Sequence, residues 1–230
     1  MTTVWNKLEL CKGKMIHTLD KYLTRYHESK LEKFNQPENG WLNLTWKSKD
    51  VRRAHIDVVD AREKRGLWMM HVCIFPDLTN DSPIYGFDVI AGKNKITGAF
   101  HDFSVSSGEE EHPLVAWYKD QVEDFIPSKK RELPEWATNI FTESMIAAGN
   151  VTSEEEIDKI LELANNNLIV YLESLPEFTG NGNSEITLGC QNYYSDNQQK
   201  NPHTPKVMKA LGLDDKDVET FCKDVLFPIV

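Results

Sequence analysis

The sequence lacks the short motifs by which many enzymes hold metals, clusters or nucleotides. Its 4 cysteines stand far apart, without the paired spacing of a zinc site, an iron–sulfur cluster or a disulfide framework. The glycines of Gly180-Asn-Gly182 are too few and wrongly placed for a dinucleotide fingerprint, and no phosphate-binding Gly-Lys-Ser or Gly-Lys-Thr loop occurs. We therefore expect reduced, mainly structural thiols and no nucleotide-binding loop of either kind. A redox role would need an external electron donor.

Long apolar runs and an excess of basic residues are also missing. No segment approaches the roughly 20 apolar residues that a membrane span requires. The 26 Lys and Arg residues face 36 Asp and Glu residues, and the resulting net charge of -10 argues against a nucleic-acid binder. The first residues contain no basic segment followed by an apolar core, so we predict a cytoplasmic protein without a targeting peptide.

Apolar patterns predict one initial helix and then a run of strands. The length fits a single domain, residues 1–230. Apolar residues recur at helical spacing between Trp5 and Phe34. After the turn cluster Pro37–Gly40, short stretches rich in aromatic and β-branched residues predict an antiparallel meander. The predicted strands are 41–46, 51–59, 67–75, 84–91 and 95–104.

Helices are predicted for the C-terminal part of the chain. Thr152 or Ser153 can cap a helix whose first turn is rich in glutamate, and the helical pattern runs through Leu175. Two shorter helical stretches follow, Thr204–Leu211 and Asp215–Val225. A helix, then strands, then helices predict an α+β fold, namely a three-layer α/β/α sandwich with a central antiparallel sheet.

Polar side chains on the predicted strands form the candidate site. Because side chains alternate between the faces of a strand, His55 and Asp57 share one face, as do His71 and Cys73. Asp88 lies in an otherwise apolar strand, where a carboxyl group resists ionisation and can hold a proton near neutral pH. From the residues alone, structural histidines and a turn-capping aspartate remain the alternative. A metal site on His55, Asp57, His71 and Cys73 is a further alternative, which the lack of tight ligand spacing disfavours.

Several segments carry a resemblance, in consistent order from about residue 40 to the C-terminus. They are Ala54–Asp57, Trp68–Pro76, Ile84–Gly92, Arg131–Trp136, Asn150–Glu156, Gln198–Asn201 and the ending Val225-Leu-Phe. Together these segments resemble the ferredoxin-dependent bilin reductases. The resemblance implies an α/β/α sandwich that binds biliverdin IXα between its sheet and its C-terminal helices, without a metal or organic cofactor. Reduced ferredoxin would supply single electrons through bilin radicals, and pocket residues would supply protons.

The resemblance also assigns roles by position. Asp88 matches the aspartate that protonates and hydrogen-bonds the pyrrole nitrogens and lactam oxygens, and His71 matches its histidine partner. His55 matches the histidine beside a terminal ring of the substrate. A protonated tetrapyrrole accepts an electron more easily, and an aspartate of raised pKa beside a histidine can supply that proton. The expected substrate-binding residues are Thr97, Gln198, Asn201 and His203.

Asp57 departs from the phycocyanobilin-forming branch of the family, which has a glutamate at this position. In that branch the glutamate serves reduction of the exocyclic vinyl group, and Asp57 is shorter by one methylene. A carboxyl group withdrawn from the vinyl group would direct reduction to the methine bridge and the A-ring. We therefore predict that Asp57 is catalytic and that the product is phycoerythrobilin, after four electrons; phycocyanobilin is the alternative.

Two basic residues that bind the substrate propionates in the family are replaced here. Ala147 stands at the arginine position before the Asn-Val-Thr segment, and His203 stands at a nearby lysine position. The resemblance therefore leaves the propionate anchor open. The candidates are His203, Lys200 and Arg53, although Lys and Arg are more often solvated surface residues.

Local basic clusters suggest where ferredoxin, typically an acidic protein, docks. Lys129–Arg131 and the pair Lys93 and Lys95 can attract it despite the net negative charge, because charges beyond about 10 Å are screened. A solvated loop is the alternative for these residues. We expect the enzyme to act as a monomer. A non-enzymatic bilin carrier is the alternative function, and it would not need a proton-donating Asp88.

Overall fold

The structure is a computed structural model that describes residues 3–108 and 111–230. Seven strands form a sheet whose order follows the sequence, and neighbouring strands are antiparallel. The strands are β1 Thr24–Tyr26, β2 Trp41–Lys47, β3 Val51–Ala61, β4 Leu67–Pro76, β5 Ile84–Ala91, β6 Ile96–Ser104 and β7 Ile146–Val151. The α-helices are α1 Val4–Tyr22, α2 Arg62–Arg65, α3 Pro113–Val122, α4 Glu135–Thr138, α5 Glu154–Ser174, α6 Ser184–Gln198, α7 His203–Ala210 and α8 Asp215–Thr220.

Helices cover both faces of this sheet. On one face, α1, α3 and α5 pack apolar side chains such as Leu8, Tyr118 and Leu168 into one core cluster. On the other face, Tyr194 of α6 and Met208 of α7 belong to a second cluster. The predicted α/β/α sandwich with a central antiparallel sheet is confirmed. Within residues 3–108 and 111–230, no helix has the length and apolar character needed to pass through a lipid bilayer.

The alternation of side chains in β4 separates the core from the site. Met70 and Val72 are fully buried in the cluster beneath α1 and α5. Met69 and Cys73 belong to the opposite cluster, which faces α6 and α7. His71 lies between them on that second face, because successive side chains of a strand point in opposite directions. Both faces of the sheet are covered, which explains the high apolar content of the central strands.

The strand pattern of the sequence correctly predicts most strands of the sheet. All of the predicted strands are present as β2 to β6, with ends that differ by no more than two residues. The predicted cap is also confirmed, because the Ser153 hydroxyl accepts a hydrogen bond from the Glu156 amide and α5 follows. The two predicted closing helices correspond to α7 and α8, and a π-helical turn, Phe221–Leu226, continues α8.

The predicted helix from Trp5 to Phe34 is wrong beyond Tyr22. Leu23 has an extended backbone, and Thr24–Tyr26 form the edge strand β1, which pairs with β2. Residues that share helical spacing therefore belong to two different elements, since pairing with the sheet overrides the local pattern. The sequence analysis also missed α3, α6 and β7.

Candidate active site

Three ionisable side chains form a row across the centre of the sheet. Asp57 in β3 pairs with His71 in β4, and His71 pairs with Asp88 in β5. Adjacent strands lie about 4.8 Å apart, so these residues occupy neighbouring positions on one face. The row continues to Asn43 in β2 and to Phe100 in β6. Strand register thus brings together three residues that the sequence singled out.

A cavity of about 240 Å³ contains this row in its lining. Asp57, His71 and Asp88 belong to the sheet side of the cavity. The segment between α3 and β7, together with α6, α7 and the C-terminal segment, supplies mainly apolar and aromatic side chains. Among them are Trp136, Phe141, Tyr194, Met208 and Phe227. A concave, largely apolar pocket with a few convergent polar groups is typical of a small-molecule site.

The predicted substrate contacts divide between the cavity and its surroundings. Gln198, Asn201 and His203, near the junction of α6 and α7, line the cavity. His55 and Thr97 are not among the lining residues. His55 is fully buried in β3, and the Thr97 hydroxyl donates a hydrogen bond to a β5 carbonyl oxygen at 3.0 Å. Neither side chain therefore lies in the wall of the cavity.

Burial makes the two carboxyl groups of the row weak acids. It raises the pKa of Asp88 to about 7. The pKa of Asp57 is also raised to about 7, mainly by burial; a hydrogen bond from Asn43 opposes the rise and the charge of Asp88 adds to it. Near neutral pH both groups can therefore hold and release a proton, as a general acid must.

The histidines of the site are held in their neutral form. Burial, followed by the positive charge of Arg53, lowers the pKa of His71 to about 4. Burial also lowers the pKa of His55 well below its usual value, and the charges of Arg53 and His71 add to the effect. The Nδ1 atoms of His55 and His71 have no hydrogen-bond partner among the described residues. Each neutral ring therefore has an Nδ1 atom free to form a hydrogen bond with a substrate or a neighbouring acid, while burial disfavours the charged imidazolium.

Asn43 is a candidate that the sequence analysis missed. Its side chain is buried, its Oδ1 lies 2.8 Å from Nε2 of His55, and its Nδ2 donates to the Phe34 carbonyl oxygen at 2.8 Å. The bond to Phe34 fixes the amide so that its oxygen faces His55, which must then carry its proton on Nε2. The sequence does contain a signal for this residue. Asn43 lies between Leu42 and Leu44 in a strand, so its side chain points to the opposite face from the two leucines.

Asn43→Leu is expected to release His55 from the Nε2–H tautomer. The leucine offers no acceptor, so the proton can move to Nδ1, and the unpaired buried ring lowers the free energy of unfolding by about 1–3 kcal/mol. The ¹⁵N chemical shifts of the His55 ring nitrogens report the tautomer directly. Thr45→Val is the matched control, since it removes a hydroxyl that bonds the Tyr26 carbonyl rather than His55. An unchanged His55 spectrum in Asn43→Leu would contradict this role.

Asp102 and Arg131 also line the cavity, although the sequence analysis did not assign them to it. Burial raises the pKa of Asp102 to about 6. Its carboxylate accepts hydrogen bonds from the Ser104 hydroxyl at 2.7 Å and the Thr142 amide at 3.1 Å. These bonds tie β6 to the segment that carries Phe141, so Asp102 holds one wall of the cavity in place.

Two of the three candidate propionate anchors lie outside the cavity lining. Lys200, which follows the end of α6, is exposed and pairs with Asp196 of that helix at 2.8 Å. Arg53 is buried, pairs with Glu28 at 3.1 Å and donates to a backbone carbonyl near the C-terminus. Both cations are therefore engaged away from the cavity, and His203 remains the candidate that lines it.

The geometry gives the metal-site alternative no support. In the part of the chain that the structure describes, no three His, Cys, Asp or Glu side chains are grouped as metal ligands. Burial raises the pKa of Cys73 to about 12, so its sulfur stays protonated.

The sequence matches one protein family over most of its length. Residues 13–228 match the model of the ferredoxin-dependent bilin reductases. Phycocyanobilin:ferredoxin oxidoreductase from a Synechococcus species is 30% identical over 175 residues, which cover 73% of this chain and 68% of the relative. The enzyme of the same name from Gloeobacter violaceus is 26% identical over 193 residues, 82% of this chain and 74% of the relative.

Solved structures of related proteins share the fold. A structure of PcyX has a TM-score of 0.73 and 40% sequence identity, and the match covers 97% of this chain and 99% of that one. Tomato phytochromobilin synthase in complex with biliverdin has a TM-score of 0.76, with coverage of 95% and 82%. At 14% identity, the second likeness concerns the fold alone. The family match over most of the sequence shows that this chain belongs to the ferredoxin-dependent bilin reductases and is an oxidoreductase.

Proposed function

We propose that the enzyme reduces biliverdin IXα to phycoerythrobilin with electrons from reduced ferredoxin. The observation that carries the proposal is the row of Asp57, His71 and Asp88 in the lining of a largely apolar cavity. The overall reaction adds four electrons and four protons to the pigment, while four ferredoxin molecules each lose one electron. Single-electron steps pass through bilin radicals.

The conjugated pigment is itself the electron acceptor, so the protein's task is to bind it and deliver protons. Asp88 is the proton donor, because its raised pKa leaves a large fraction of the group protonated near neutral pH. A protonated tetrapyrrole accepts an electron more easily than a neutral one. His71, neutral and directly paired with Asp88 across the strands, orients and relays that proton. His55 acts through the bond to Asn43 and through its proximity to His71.

The remaining predicted contacts are assigned to substrate binding. Gln198, Asn201 and His203 lie where α6 meets α7, and their polar groups suit the pyrrole, lactam and carboxylate groups of a bilin. Thr97 lies in β6 outside the cavity lining, and its backbone oxygen accepts a hydrogen bond from Arg131, which does line the cavity, so its proposed role is indirect. Because the cavity draws on the sheet and on the C-terminal helices, we infer that residues 1–230 act as one domain.

The product follows from the length of one side chain. Asp57 stands where the phycocyanobilin-forming enzymes have glutamate, and its carboxyl group is too short to serve the vinyl group. Reduction is therefore directed to the methine bridge and the A-ring. Phycocyanobilin as the only pigment from the purified enzyme would refute this product.

The direct test is anaerobic incubation with biliverdin IXα and chemically reduced ferredoxin. We expect the pigment absorbance to shift to that of phycoerythrobilin, with transient radical absorbance, and chromatography to identify the product. Bound but unchanged biliverdin would instead support a bilin carrier. A chain that neither binds nor reduces the pigment would refute the proposal. A chelator should leave turnover unchanged.

The ferredoxin surface is assigned to the basic residues beside β7. Residues 129–131 run along this strand, because the Arg131 amide donates to the Ala147 carbonyl and the Gly149 amide donates to the Lys129 carbonyl. Lys95 donates to the Asn150 side chain at 2.8 Å, which brings a further positive charge to the same edge. Since Arg131 reaches the cavity, a partner docked here would stand close to the pigment.

Reversing Lys129 and Lys130 to Glu is expected to raise the ferredoxin concentration for half-maximal turnover several-fold, because it replaces attraction by repulsion. The maximal rate and the biliverdin affinity should change little, and added salt should shrink the difference. The matched control reverses Lys30 and Lys64, exposed lysines away from β7. Equal effects of the two double variants would remove this surface from the proposal.

A further inference from the structure

The C-terminal segment, residues 225–230, forms part of the cavity wall. Its first residues end a π-helical turn, Phe221–Leu226, and such turns are rare and often lie at functional sites. Phe227 leaves this turn with φ -131° and ψ 66° and lines the cavity together with Leu226. The turn therefore delivers an aromatic ring to the site of the proposed reaction.

Side chains from β3, from α6 and from the C-cap of α6 hold this segment in place. The donors and the backbone carbonyl groups that accept are Arg53 to Val225 at 2.7 Å, Gln199 to Phe227 at 2.8 Å and Asn192 to Val230 at 2.8 Å. The Asn192 side chain also accepts from the Val230 amide at 3.0 Å, so two hydrogen bonds join these residues. The backbone is thus fixed on both sides of Phe227.

The Phe227 ring contacts two other rings. Its centroid lies 5.1 Å from that of His71, with an interplanar angle of 75°, and 6.4 Å from that of Tyr194, with an angle of 64°. Tyr194 is buried and packs edge-on against Phe75 and Phe141. Edge-on contacts at such distances are favourable. Phe227 is therefore supported by a buried ring of α6 while it contacts the histidine of the catalytic row.

Hydrogen bonding at Nδ1 does not fix the imidazole of His71. This atom is buried and has no partner within residues 3–108 and 111–230. Strand pairing places the His71 backbone opposite Asp88, but rotation about the side-chain bonds would still move the ring relative to that acid. The edge-on contact with Phe227 opposes this rotation.

We propose that Phe227 is a positioning residue that holds the His71 imidazole beside Asp88, and that residues 225–230 act as the strap that keeps Phe227 there. The inference rests on the proposed function, because the oriented ring serves the proton donor. A misplacement of about 1 Å can lower the rate of a catalysed step roughly 10²-fold, so the orientation of this imidazole affects the rate of proton delivery. Substrate affinity depends on the whole cavity lining and depends far less on this contact.

Phe227→Leu tests the contact, because leucine keeps an apolar wall but has no ring. The first measurement is the NMR spectrum of the His71 ring in the enzyme without pigment. The wild type should give one sharp set of signals, and Phe227→Leu should broaden or double them. The ring of His55, which is bonded to Asn43, is the internal control and should keep its spectrum.

The second measurement separates chemistry from binding. In Phe227→Leu the single-turnover rate with reduced ferredoxin and saturating biliverdin should fall about tenfold or more. The biliverdin affinity, measured by absorbance titration without ferredoxin, should stay within about threefold of the wild type. Phe227→Tyr keeps the ring and should retain most of the rate.

A variant outside the cavity lining tests the strap. Asn192→Leu removes both hydrogen bonds to Val230, so it should broaden the His71 signals and lower the single-turnover rate by a smaller factor. Asp196→Asn, at an exposed position of the same helix, is the matched control and should have neither effect. If Phe227→Leu does not fold, Asn192→Leu decides the inference by the same two measurements.

An unchanged His71 spectrum or an unchanged single-turnover rate in Phe227→Leu would overturn the inference. A weaker affinity with the full rate at saturation would also overturn it, because Phe227 would then be only a part of the cavity wall. A wild type that does not reduce biliverdin would overturn the proposed function. The His71 spectrum is recorded without substrate or ferredoxin, so a failure of the positioning contact can be distinguished from that result.

Discussion

Asp88→Asn is expected to leave biliverdin bound while lowering turnover by roughly 10²–10⁴-fold, which is the usual contribution of a general acid to the rate. The amide has nearly the size and shape of the carboxyl group and can still donate a hydrogen bond, so the cavity should keep its form. It cannot transfer a proton at neutral pH, and the first electron would then have to enter an unprotonated pigment. Stopped-flow absorbance with reduced ferredoxin separates binding from the stalled chemistry.

The pH dependence gives a second signature of the same group. The pKa of Asp88 is raised to about 7, so its proton-carrying fraction is nearly complete at pH 5 to 6 and falls as the pH rises through 7. Single-turnover rates of the wild type should therefore decline above about pH 7. The residual rate of Asp88→Asn should lack this decline. Asp124→Asn, at an exposed position, is the control, and full activity in Asp88→Asn would contradict the proton-donor role.

The positions of the strands were predictable because their side chains alternate. In β4 the apolar Met70 and Val72 face one core, and His71 between them faces the other, a pattern that the sequence shows directly. The pairing of His71 with both Asp57 and Asp88 was not predictable in this way. Register depends on the turns that connect the strands, and a shift of one residue would have moved each group to the opposite face.

Helix α6 was missed because its buried face is polar. Thr187, Gln191 and Ser195, spaced four residues apart, are fully buried, and Gln191 donates to the Pro76 carbonyl oxygen at 3.0 Å. A search for apolar residues at helical spacing finds no stripe here. The side chains of Gln191 and Ser195 are hydrogen-bonded, which makes their burial tolerable, and such pairing is visible only in the structure.

Arg131 and Asn43 escaped the sequence analysis for a related reason. An arginine in the run Lys129–Arg131 is typical of a solvated surface, and its place in the cavity depends on pairing with β7 and on the small size of Gly149. The role of Asn43 depends on its cross-strand neighbours Asp57 and His55. Local sequence gives the residue type, whereas the site is assembled by contacts between distant segments.

Asp57→Glu is expected to change the product from phycoerythrobilin toward phycocyanobilin. The substitution extends the carboxyl group by one carbon, about 1.5 Å, at a fixed position in β3 beside His71. A misplacement of about 1 Å can lower the rate of a catalysed step roughly 10²-fold, so one methylene is enough to decide which of two competing protonations is faster. The longer acid should reach the exocyclic vinyl group that Asp57 leaves intact.

Chromatography of the pigment after complete turnover measures this change as a ratio of the two products. Asp57→Asn is the matched control, because it keeps the short side chain and removes the acid; it should yield no phycocyanobilin at any rate of turnover. The pKa of Asp57 is raised to about 7, so the wild-type group can itself donate a proton, and its reach rather than its acidity sets the product. An unchanged product in Asp57→Glu would show that selection between the two reductions resides elsewhere in the cavity.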